Sequence, residues 1–352
     1  MAPQSSLDRL YGRVARKVLT ETVHVKKGET VTVEAWNNGL GFARHVLAEA
    51  RAMGCTAILL LEDEKAYVEG VKRAPKDALG IMGRHELGLL AATDAYIFVP
   101  GPPLWAFSKT LKPEELADST RYNSSWYEAA EKAKLRGARM TFGYAGPDMA
   151  RIVGKSVDKI VTAQLKAALV DFGDISEAAA RLVPHLGDGT QGSLESPGTN
   201  VRFVFKGELG VEDGVVDAND VTGGNGMTYV PPGLVSKQVE PTSAAGTVKI
   251  SASLTRYGVV DGAMLTFSGG VLTSWEGKDK DKLGAFLKPL PPEKRRLTSL
   301  NVGLNPAMRY GFGRDAFVRG AITIGGFGFT AAIRRGNLAS DGKMLITEGK
   351  LN

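Results

Sequence analysis

The first half of the chain alternates apolar runs with segments of helical periodicity. Residues 29–36 (ETVTVEAW) form a β-branched run, and residues 41–54 carry apolar side chains at helical spacing up to a final glycine. Residues 55–63 (CTAILLLED) are typical of a buried parallel strand. The same alternation continues with a helix over 79–94, a strand that begins at residue 95 and is stopped by Pro100 to Pro103, and a helix and strand over 126–144. This order predicts an open, doubly wound parallel sheet, a Rossmann-like α/β domain.

The second half changes to short strands separated by glycines. Examples are residues 199–207 (TNVRFVFKG) and 262–277, where FSGGVLT predicts a hairpin through Gly269 and Gly270. Because the segment 187–199 is rich in turn residues, the boundary is expected near residues 172–196. The prediction is an open α/β domain over 1–175 and a β-rich, barrel-like domain over 176–352, that is, α/β plus α+β.

Composition narrows the class of protein. Of the 352 residues, 43% are apolar and 23% charged, which suits a folded globular chain, and the 43 glycines indicate many tight turns. A single cysteine, Cys55, excludes an internal disulfide and a four-cysteine metal site, and it fits a cytoplasmic location. No signal-type apolar region opens the sequence and no run of 18 apolar residues follows, so no membrane segment is expected.

The positive charge lies at one end of the sequence. The formal net charge is +6, and the residues after Leu287 include eleven Lys or Arg against four Asp or Glu. This asymmetry indicates either an anionic partner or a solvated basic face.

Common catalytic motifs are missing from the sequence. It contains neither a Walker-type phosphate loop nor a dinucleotide fingerprint in context, and NNGLGF (37–42) suits an Asn-capped turn between strand and helix. The four histidines, His24, His45, His85 and His185, have no zinc-binding spacing, and none follows residue 185. No serine-hydrolase elbow is present, and Cys55 stands where a buried, inert thiol is expected.

Several segments in order resemble the aminopeptidase T and S family of thermophilic metallo-aminopeptidases. PPGLV (231–235) resembles the family's PxGEV, VGLNPAMR (302–309) resembles IGTNPxxR, and AAIRRG (331–336) resembles SAIHWD. VRGAITIGG resembles GTVHIALG, and LASDGKMLITEGKL resembles the closing hairpin. The resemblance implies an open α/β domain, a β-rich domain, an interdomain groove and a homodimer.

The family's metal ligands do not carry over to this sequence. The resemblance implies a two-metal site of two Glu, two His and one Asp, and a branch that opens pyridine rings uses one iron and a subset of these positions. The corresponding residues here are Leu234, Ser299, Ala321, Arg334 and Gly336. Where the family has an aromatic hydroxyl, only Phe327 and Phe329 are found. Scaffold residues such as Gly233, Gly303, Asn305, Pro306 and Gly325 are kept. Such a set holds no catalytic metal, and no cofactor is expected.

These observations favour a degenerate, non-catalytic relative that binds a partner or has a structural role. A small anionic ligand or a peptide could be held by Arg334, Arg335, Arg319 and Arg309, unless these arginines pair with carboxylates such as Asp315 or Asp341. One alternative is an active aminopeptidase or other hydrolase whose metal site has moved, for instance to the carboxylates of 211–220. Another is a nucleic-acid- or ribosome-associated protein that uses the basic C-terminal region with Tyr310, Phe312 and Phe317.

Overall fold

A computed structural model describes residues 5–75, 78–103, 106–107, 110–255 and 258–352. The chain forms two compact units, and both are discontinuous in sequence. The first unit comprises 1–150, 156–169 and 214–231, and the second comprises 151–155, 170–213 and 232–352. A single domain boundary between residues 175 and 176 stays a prediction. The compact units do not follow it, because residues 214–231 belong to the first unit and residues 151–155 belong to the second.

The elements follow the alternation that the sequence predicts. The helices are α1 (Ser6–Lys17), α2 (Leu40–Ala52), α3 (Glu64–Arg73), α4 (Arg84–Ala91), α5 (Pro113–Lys132), α6 (Pro147–Val153), α7 (Val157–Ala168), α8 (Phe172–Leu182), α9 (Ala218–Thr222) and α10 (Lys280–Leu287). The first ten strands are β1 (Thr30–Trp36), β2 (Thr56–Glu62), β3 (Ala95–Val99), β4 (Arg136–Met140), β5 (Gln191–Ser196), β6 (Thr199–Glu212), β7 (Met227–Val230), β8 (Leu234–Val239), β9 (Ala245–Lys249) and β10 (Ser253–Thr255). The remaining strands are β11 (Gly258–Val260), β12 (Met264–Ser268), β13 (Val271–Glu276), β14 (Ser299–Gly303), β15 (Ile322–Gly325), β16 (Ala331–Ile333), β17 (Asn337–Ser340), β18 (Lys343–Thr347) and β19 (Lys350–Leu351).

The first unit is built on a five-stranded parallel sheet in the order β2-β1-β3-β4-β7. Its central strands β1 and β3 are largely buried, as expected for parallel strands with helices on both faces. The fifth strand, β7, is only four residues long, and its membership in this sheet could not be foreseen because it follows the predicted boundary. The parallel α/β arrangement is confirmed.

Two expectations for this unit need correction. The run 55–63 does form a strand, but β2 lies at the edge of the sheet, and Ile58 and Leu61 are 42% and 53% exposed. The helix expected over 79–94 is limited to α4, because Gly83 occupies the N-cap position and its amide donates to the Glu86 carboxylate at 2.8 Å. The helix therefore begins at Arg84, directly after its N-cap glycine.

The second unit is built on one large, mainly antiparallel sheet. Nine strands follow the order β16-β15-β14-β8-β6-β5-β17-β18-β19, and β9, β12 and β13 branch from β6. The hairpin through Gly269 and Gly270 is confirmed, with Ser268 paired to Val271. One apolar core, which includes Leu194, Leu300, Ile322 and Phe327, packs on one face of this sheet together with α8 and α10. The combination of a parallel and a large antiparallel sheet agrees with the predicted mixed class.

No helix within the described ranges combines the length and the apolar character that crossing a membrane requires.

Candidate functional site

Three of the five positions that the sequence resemblance aligns with metal ligands lie in one row across adjacent strands of the second unit. Leu234 begins β8 and pairs with Gly303 at the end of β14. The amide of Gly303 donates to the carbonyl of Ala321 at 2.9 Å. Ile322 pairs with Ile333, so the next step of the same register sets Arg334 beside Ala321. The structure therefore brings Leu234, Ala321 and Arg334 together.

The row lies on the face of the sheet opposite the core. Leu300, Val302, Ile322 and Ile324 point into the core and are fully buried. Side chains alternate along a strand, so their neighbours in β14 and β15 point to the other face. We call this second side the polar face; it carries Ser236, Ser299, Asn301 and Thr323.

Ser299 and Gly336 do not join the row. Ser299 is at the opposite end of β14 from Gly303, where it pairs with Gln238, so roughly 13 Å of strand separates the two ends. A Cβ atom on Gly336 would lie 3.0 Å from Ile333 Cγ2 and 3.2 Å from Ile322 Cδ1, which places it against the apolar core. The structure thus keeps these two positions apart from the other three.

A hydrogen-bonded polar row runs next to Leu234, Gly303 and Ala321. Ser236 pairs with Asn301, and Asn301 pairs with Thr323. Asn301 Nδ2 donates to Thr323 Oγ1 at 3.1 Å, and Thr323 is only 2% exposed. Sequence reasoning missed these residues, although the alternation of apolar and polar residues in LNV (300–302) and ITI (322–324) was a signal that their side chains point away from the core.

Arg334 forms a compact charged cluster with two nearby side chains. Arg334 Nη2 donates to Asp315 Oδ2 at 3.2 Å, and the guanidinium carbon lies 4.3 Å from the centre of the Tyr310 ring. The backbone amide of Arg334 donates to Ser251 Oγ at 3.0 Å, which fixes the end of β16. The Arg334 side chain is 36% exposed and that of Asp315 is 20% exposed. The sequence had left open whether Asp315 or a ligand would neutralise Arg334, and Asp315 lies in contact with it.

Burial dominates the electrostatics of this cluster. It raises the pKa of Asp315 above its ordinary value, although the Gly311 amide, which donates to Asp315 Oδ1 at 2.7 Å, and the charge of Arg334 oppose the rise. Burial also raises the pKa of Tyr310, and Arg334 again acts in the opposite direction. The arginine therefore only partly compensates for the desolvation of the carboxylate.

The other three candidate arginines lie at the surface. Arg309, Arg319 and Arg335 are exposed. Arg335 has a left-handed backbone with φ of 55°, and the amide of Arg319 donates to the Asn305 carbonyl at 3.0 Å. Unlike Arg334, these residues contribute solvated positive charge around the cluster.

The residues at the row do not fit the family's two-metal centre. Ser, Thr and Asn offer neutral oxygen and amide groups, and Leu234 and Ala321 offer no ligand atom, whereas zinc and iron sites in proteins use anionic or imidazole donors. Across the part of the chain that the structure describes, no three His, Cys, Asp or Glu side chains are grouped in a way that could hold a metal ion.

The carboxylates of 211–220, offered as a relocated metal site, have structural partners. Ser176 Oγ donates to Asp213 Oδ2 at 2.9 Å. Asp217 caps α9 by accepting from the amides of Asn219 and Asp220, at 2.6 and 3.0 Å, and these bonds lower its pKa. Asp217 and Asp220 thus form the capping box of α9, and Asp213 is held by Ser176.

The aromatic residues proposed for stacking on nucleic-acid bases are covered by cations of the same unit. Phe312 lies 4.8 Å from Lys155 Nζ, and Phe317, only 4% exposed, lies 4.1 Å from the guanidinium of Arg314. Tyr310 lies under Arg334. One face of each ring is therefore occupied by a cation of the same unit and is not available to a base.

Cys55 is buried, and its thiol donates to the Lys26 carbonyl at 3.3 Å. Burial raises its pKa, which keeps the thiol protonated. The expectation of a buried thiol is confirmed, and its inertness stays a prediction.

Comparison with known proteins identifies the fold. No protein-family profile and no curated protein sequence matches the chain. Among solved structures, the chain is similar to wild-type aminopeptidase T (AmpT) from Thermus thermophilus, with a TM-score of 0.67 and 15% identity over 98% of this chain and 100% of the other. It is also similar to 2,5-dihydroxypyridine dioxygenase from Pseudomonas putida KT2440, with a TM-score of 0.64 and 13% identity over 99% of this chain and 98% of the other. The chain therefore has an aminopeptidase T-like fold along nearly its whole length, and at this identity the similarity concerns the fold alone.

Proposed function

We propose that the protein has the aminopeptidase T-like fold without its catalytic activity. We further propose that it binds a small ligand with a carboxylate, such as a peptide, at the polar face. The observation that carries the proposal is the row of Leu234, Gly303, Ala321 and Arg334, in which aliphatic groups and a guanidinium stand where metal ligands are expected. A metal-bound hydroxide needs donors that this row does not have.

Arg334 is the group best suited to hold the ligand. A guanidinium carries five N–H donors, and the bond to Asp315 uses one of them, so donors remain for a second carboxylate. The Tyr310 ring, whose centre lies 4.3 Å from the guanidinium carbon, adds a cation–π contact that holds the Arg334 side chain in place. Ser236 and Asn301, which are partly exposed, lie in the adjacent row and offer a hydroxyl and an amide group to the main chain of a peptide, while the buried Thr323 holds Asn301 in place.

The exposed arginines have a different role in the proposal. Arg309, Arg319 and Arg335 attract an anion at long range but do not hold it. Salt should therefore slow association through these residues, while binding at the half-buried Arg334 should be weakened only moderately.

Metal content and peptidase activity test the non-catalytic part of the proposal. After dialysis, mass spectrometry of the purified protein should find no stoichiometric zinc, cobalt or iron. Peptides with a free amino terminus should not be hydrolysed with any of these ions added. One or two tightly held ions per chain, lost on substitution of residues in the second unit, would contradict the proposal.

Calorimetric titration tests the binding part. A set of dipeptides should bind, and the same dipeptides as C-terminal amides should bind at least about tenfold more weakly, since the loss of one charge-assisted contact amounts to about 1.5–3 kcal/mol. Arg334→Met should abolish binding, whereas Arg319→Met, which removes the same charge at an exposed position, should change it little. Equal binding by acids and amides, or by the Arg334→Met variant and the wild type, would refute the assignment.

A further inference from the structure

A cavity of about 330 Å³ lies between the C-terminal end of α8 and strand β18 of the second unit, and we call it the α8–β18 pocket. The helix and the short 3-10 turn that follows it contribute side chains at positions i, i+3, i+4 and i+7, which share one helix face. These are Ala178, Arg181, Leu182 and His185. Strand β18 contributes Lys343, Met344 and Leu345. The volume is at the lower end of the roughly 300–1,000 Å³ that ligand pockets have, so it suits a small ligand.

The inner part of the pocket is apolar. Leu182 and Leu345 are buried and belong to the core of the second unit, so the pocket lies on the side of the sheet that carries the core. Leu351 of β19 is partly buried against the same core. We call these three leucines the apolar floor. Met344, which also lines the pocket, is 41% exposed. An apolar group of a ligand would be shielded from water by these side chains.

The rim of the pocket is cationic. Arg181 and Lys343 are exposed, and no described acidic side chain lines the pocket. Within the part of the chain that the structure describes, the Arg181 side chain takes part in no hydrogen bond or ion pair. All five N–H donors of its guanidinium are therefore unused by these protein groups.

The carboxylates closest to the pocket along the chain do not neutralise this rim. Asp341 accepts from a backbone amide of β5 at 2.8 Å. Asp188 forms an ion pair with the buried Lys237, at 2.5 Å between Oδ1 and Nζ. Glu177, also within the described chain, is exposed one turn before Arg181 and forms no ion pair with it. The pocket therefore combines an apolar floor with two positive charges that an anion would neutralise.

His185 holds Lys343 in place. Lys343 Nζ lies 2.8 Å from His185 Nε2, and because an ammonium group can only donate, the imidazole accepts at Nε2. The His185 carbonyl accepts from Ser340 Oγ at 2.6 Å, and Ser340 is only 3% exposed. This second bond ties the end of the helical segment to β17, the strand that precedes Lys343. The two sides of the pocket are therefore fixed relative to each other before a ligand binds.

We propose that the α8–β18 pocket binds a small phosphate monoester whose apolar group lies against the apolar floor. A phosphate monoester carries close to two negative charges above pH 7, which matches Arg181 and Lys343, whereas a carboxylate carries one. A guanidinium bonds two phosphate oxygens at once, and the Lys343 protons that His185 does not accept remain for the third oxygen. The pocket shares no residue with the polar face or the Arg334 cluster, so its ligand does not depend on the proposed function.

Calorimetric titration at pH 7.5 with three probes tests the class of ligand. Phenyl phosphate should bind with a Kd of about 0.1–1 mM at low salt, a modest affinity because both cations are exposed. Inorganic phosphate, which lacks the ring, and benzoate, which lacks the second charge, should each bind at least about fivefold more weakly. If either of them binds as tightly as phenyl phosphate, the proposal is wrong.

Substitutions locate the site on the protein. Arg181→Gln and Lys343→Met should each weaken the binding of phenyl phosphate at least about tenfold, since each removes a charge-assisted contact. Arg202→Gln is the matched control, because it removes the same charge at an exposed position on β6 of the same unit, and it should bind like the wild type. Equal weakening in all three variants would mean that surface charge alone attracts the probe, and would overturn the proposal. Circular dichroism establishes that each variant is folded.

The positioning role of His185 has its own test. His185→Ala should weaken the binding of phenyl phosphate about threefold, because Lys343 loses its partner. His185→Gln, whose amide oxygen can accept in place of Nε2, should restore most of the affinity. A His185→Gln variant as weak as His185→Ala would overturn the positioning role.

Methyl NMR gives a readout that does not depend on affinity. In protein labelled with 13C at the methionine methyl groups, the Met344 signal, assigned with Met344→Leu, should shift when phenyl phosphate is added, because its ring would lie in the same pocket. The signal of Met264, on β12 of the same unit, should not shift. An unshifted Met344 signal would overturn the proposal.

One further pair of titrations separates this pocket from the polar face. Arg334→Met should leave the binding of phenyl phosphate unchanged, and Arg181→Gln should leave the binding of dipeptides unchanged. The failure of either site would thus be seen independently of the other. Weaker binding of phenyl phosphate by a folded Arg334→Met variant would place the probe at the polar face and overturn the proposal.

Discussion

Gly233 packs directly against the backbone of Asn305: a Cβ atom on Gly233 would lie 2.7 Å from the Asn305 amide nitrogen. Asn305 is fully buried, and its Nδ2 donates to the Pro232 carbonyl at 2.8 Å. Its Oδ1 accepts from the amides of Ala307 and Met308, at 2.9 and 3.0 Å. The PPG and NP segments, two of those in which the sequence resembles the aminopeptidase pattern, are therefore two halves of one packed turn at the entry to β8.

Gly233→Ala should destabilise the protein by about 2–4 kcal/mol, because the added methyl group collides with backbone atoms and φ is 115°. Urea denaturation measures the loss as a lower midpoint at unchanged slope. Gly342→Ala is the matched control: φ is 79°, but nothing lies within 4 Å of its Cβ position, so about 1–2 kcal/mol is expected. Equal losses at both positions would mean that the contact with Asn305 has no effect on stability.

Arg334 and Asp315 should be energetically coupled. Arg334→Met leaves a largely buried carboxylate without its cation and should destabilise the protein at pH 7 by about 1–2 kcal/mol, a modest value because the Arg334 side chain is 36% exposed. In an Asp315→Asn background the same substitution should have a smaller effect. A double-mutant cycle measures the difference, and additive effects would show that the pair contributes nothing.

The same pair gives a pH dependence with a defined sign. Burial raises the folded-state pKa of Asp315 above its ordinary value of 3.8, so its stabilising contribution is complete below pH 3.8 and is lost as the pH rises through the raised pKa. Arg334→Met should raise that pKa further. The loss in the free energy of unfolding of Arg334→Met, relative to the wild type, should therefore shrink as the pH falls toward 4. A loss that is constant with pH would indicate lost packing only.

Glu34 provides a second titration in the first unit. Burial raises its pKa above the ordinary 4.5, and the hydrogen bond that the Tyr96 hydroxyl donates to it opposes the rise. Its contribution to stability is complete below pH 4.5 and is lost at higher pH. Glu34→Gln should therefore stabilise the protein by about 1 kcal/mol at pH 8 and have little effect at pH 4.

Thermal unfolding at several pH values measures this gain, with Glu131→Gln, an exposed position, as the control that should show no trend. Tyr96→Phe should act in the opposite direction at pH 8, since it removes the donor that stabilises the ionised carboxylate. A Glu34→Gln effect of the same size at both pH values would contradict a raised pKa.

The order of strands and helices in the first half followed from local sequence, because periodicity and turn residues are local properties. The position of β2 did not. An apolar run such as ILLL suits a central strand, and whether it becomes central or an edge depends on which strands pair with it, a long-range choice that no local pattern records. The pairing of β7 with β4 in the parallel sheet could not be predicted either, because it is also a long-range choice.

The candidate site was predictable in its residue types but not in its geometry. The resemblance supplied Leu234, Ala321 and Arg334, and Asp315 was named as a possible partner of Arg334. The contact of Asn301 with Thr323, and the separation of Ser299 from the row, depend on the register between strands, and a shift of one residue would reverse which side chains face the core.

Gly336 gives a direct test of whether a metal site could be built at the five positions that the sequence resemblance aligns with metal ligands. An acidic residue at this position would direct its carboxylate toward Ile333, Ile322 and Leu194, whose side-chain atoms lie 3.0 to 3.4 Å from the Cβ position. Gly336→Asp should therefore destabilise the protein by about 3–5 kcal/mol, since a buried charge in an apolar core has no partner. Gly342→Asp, in the open turn between β17 and β18, should lose much less. If Gly336→Asp instead remains stable, and zinc raises its melting temperature when Leu234→Glu and Ala321→His are added, the carboxylate must reach the polar face, and the placement of Gly336 against the core would be wrong.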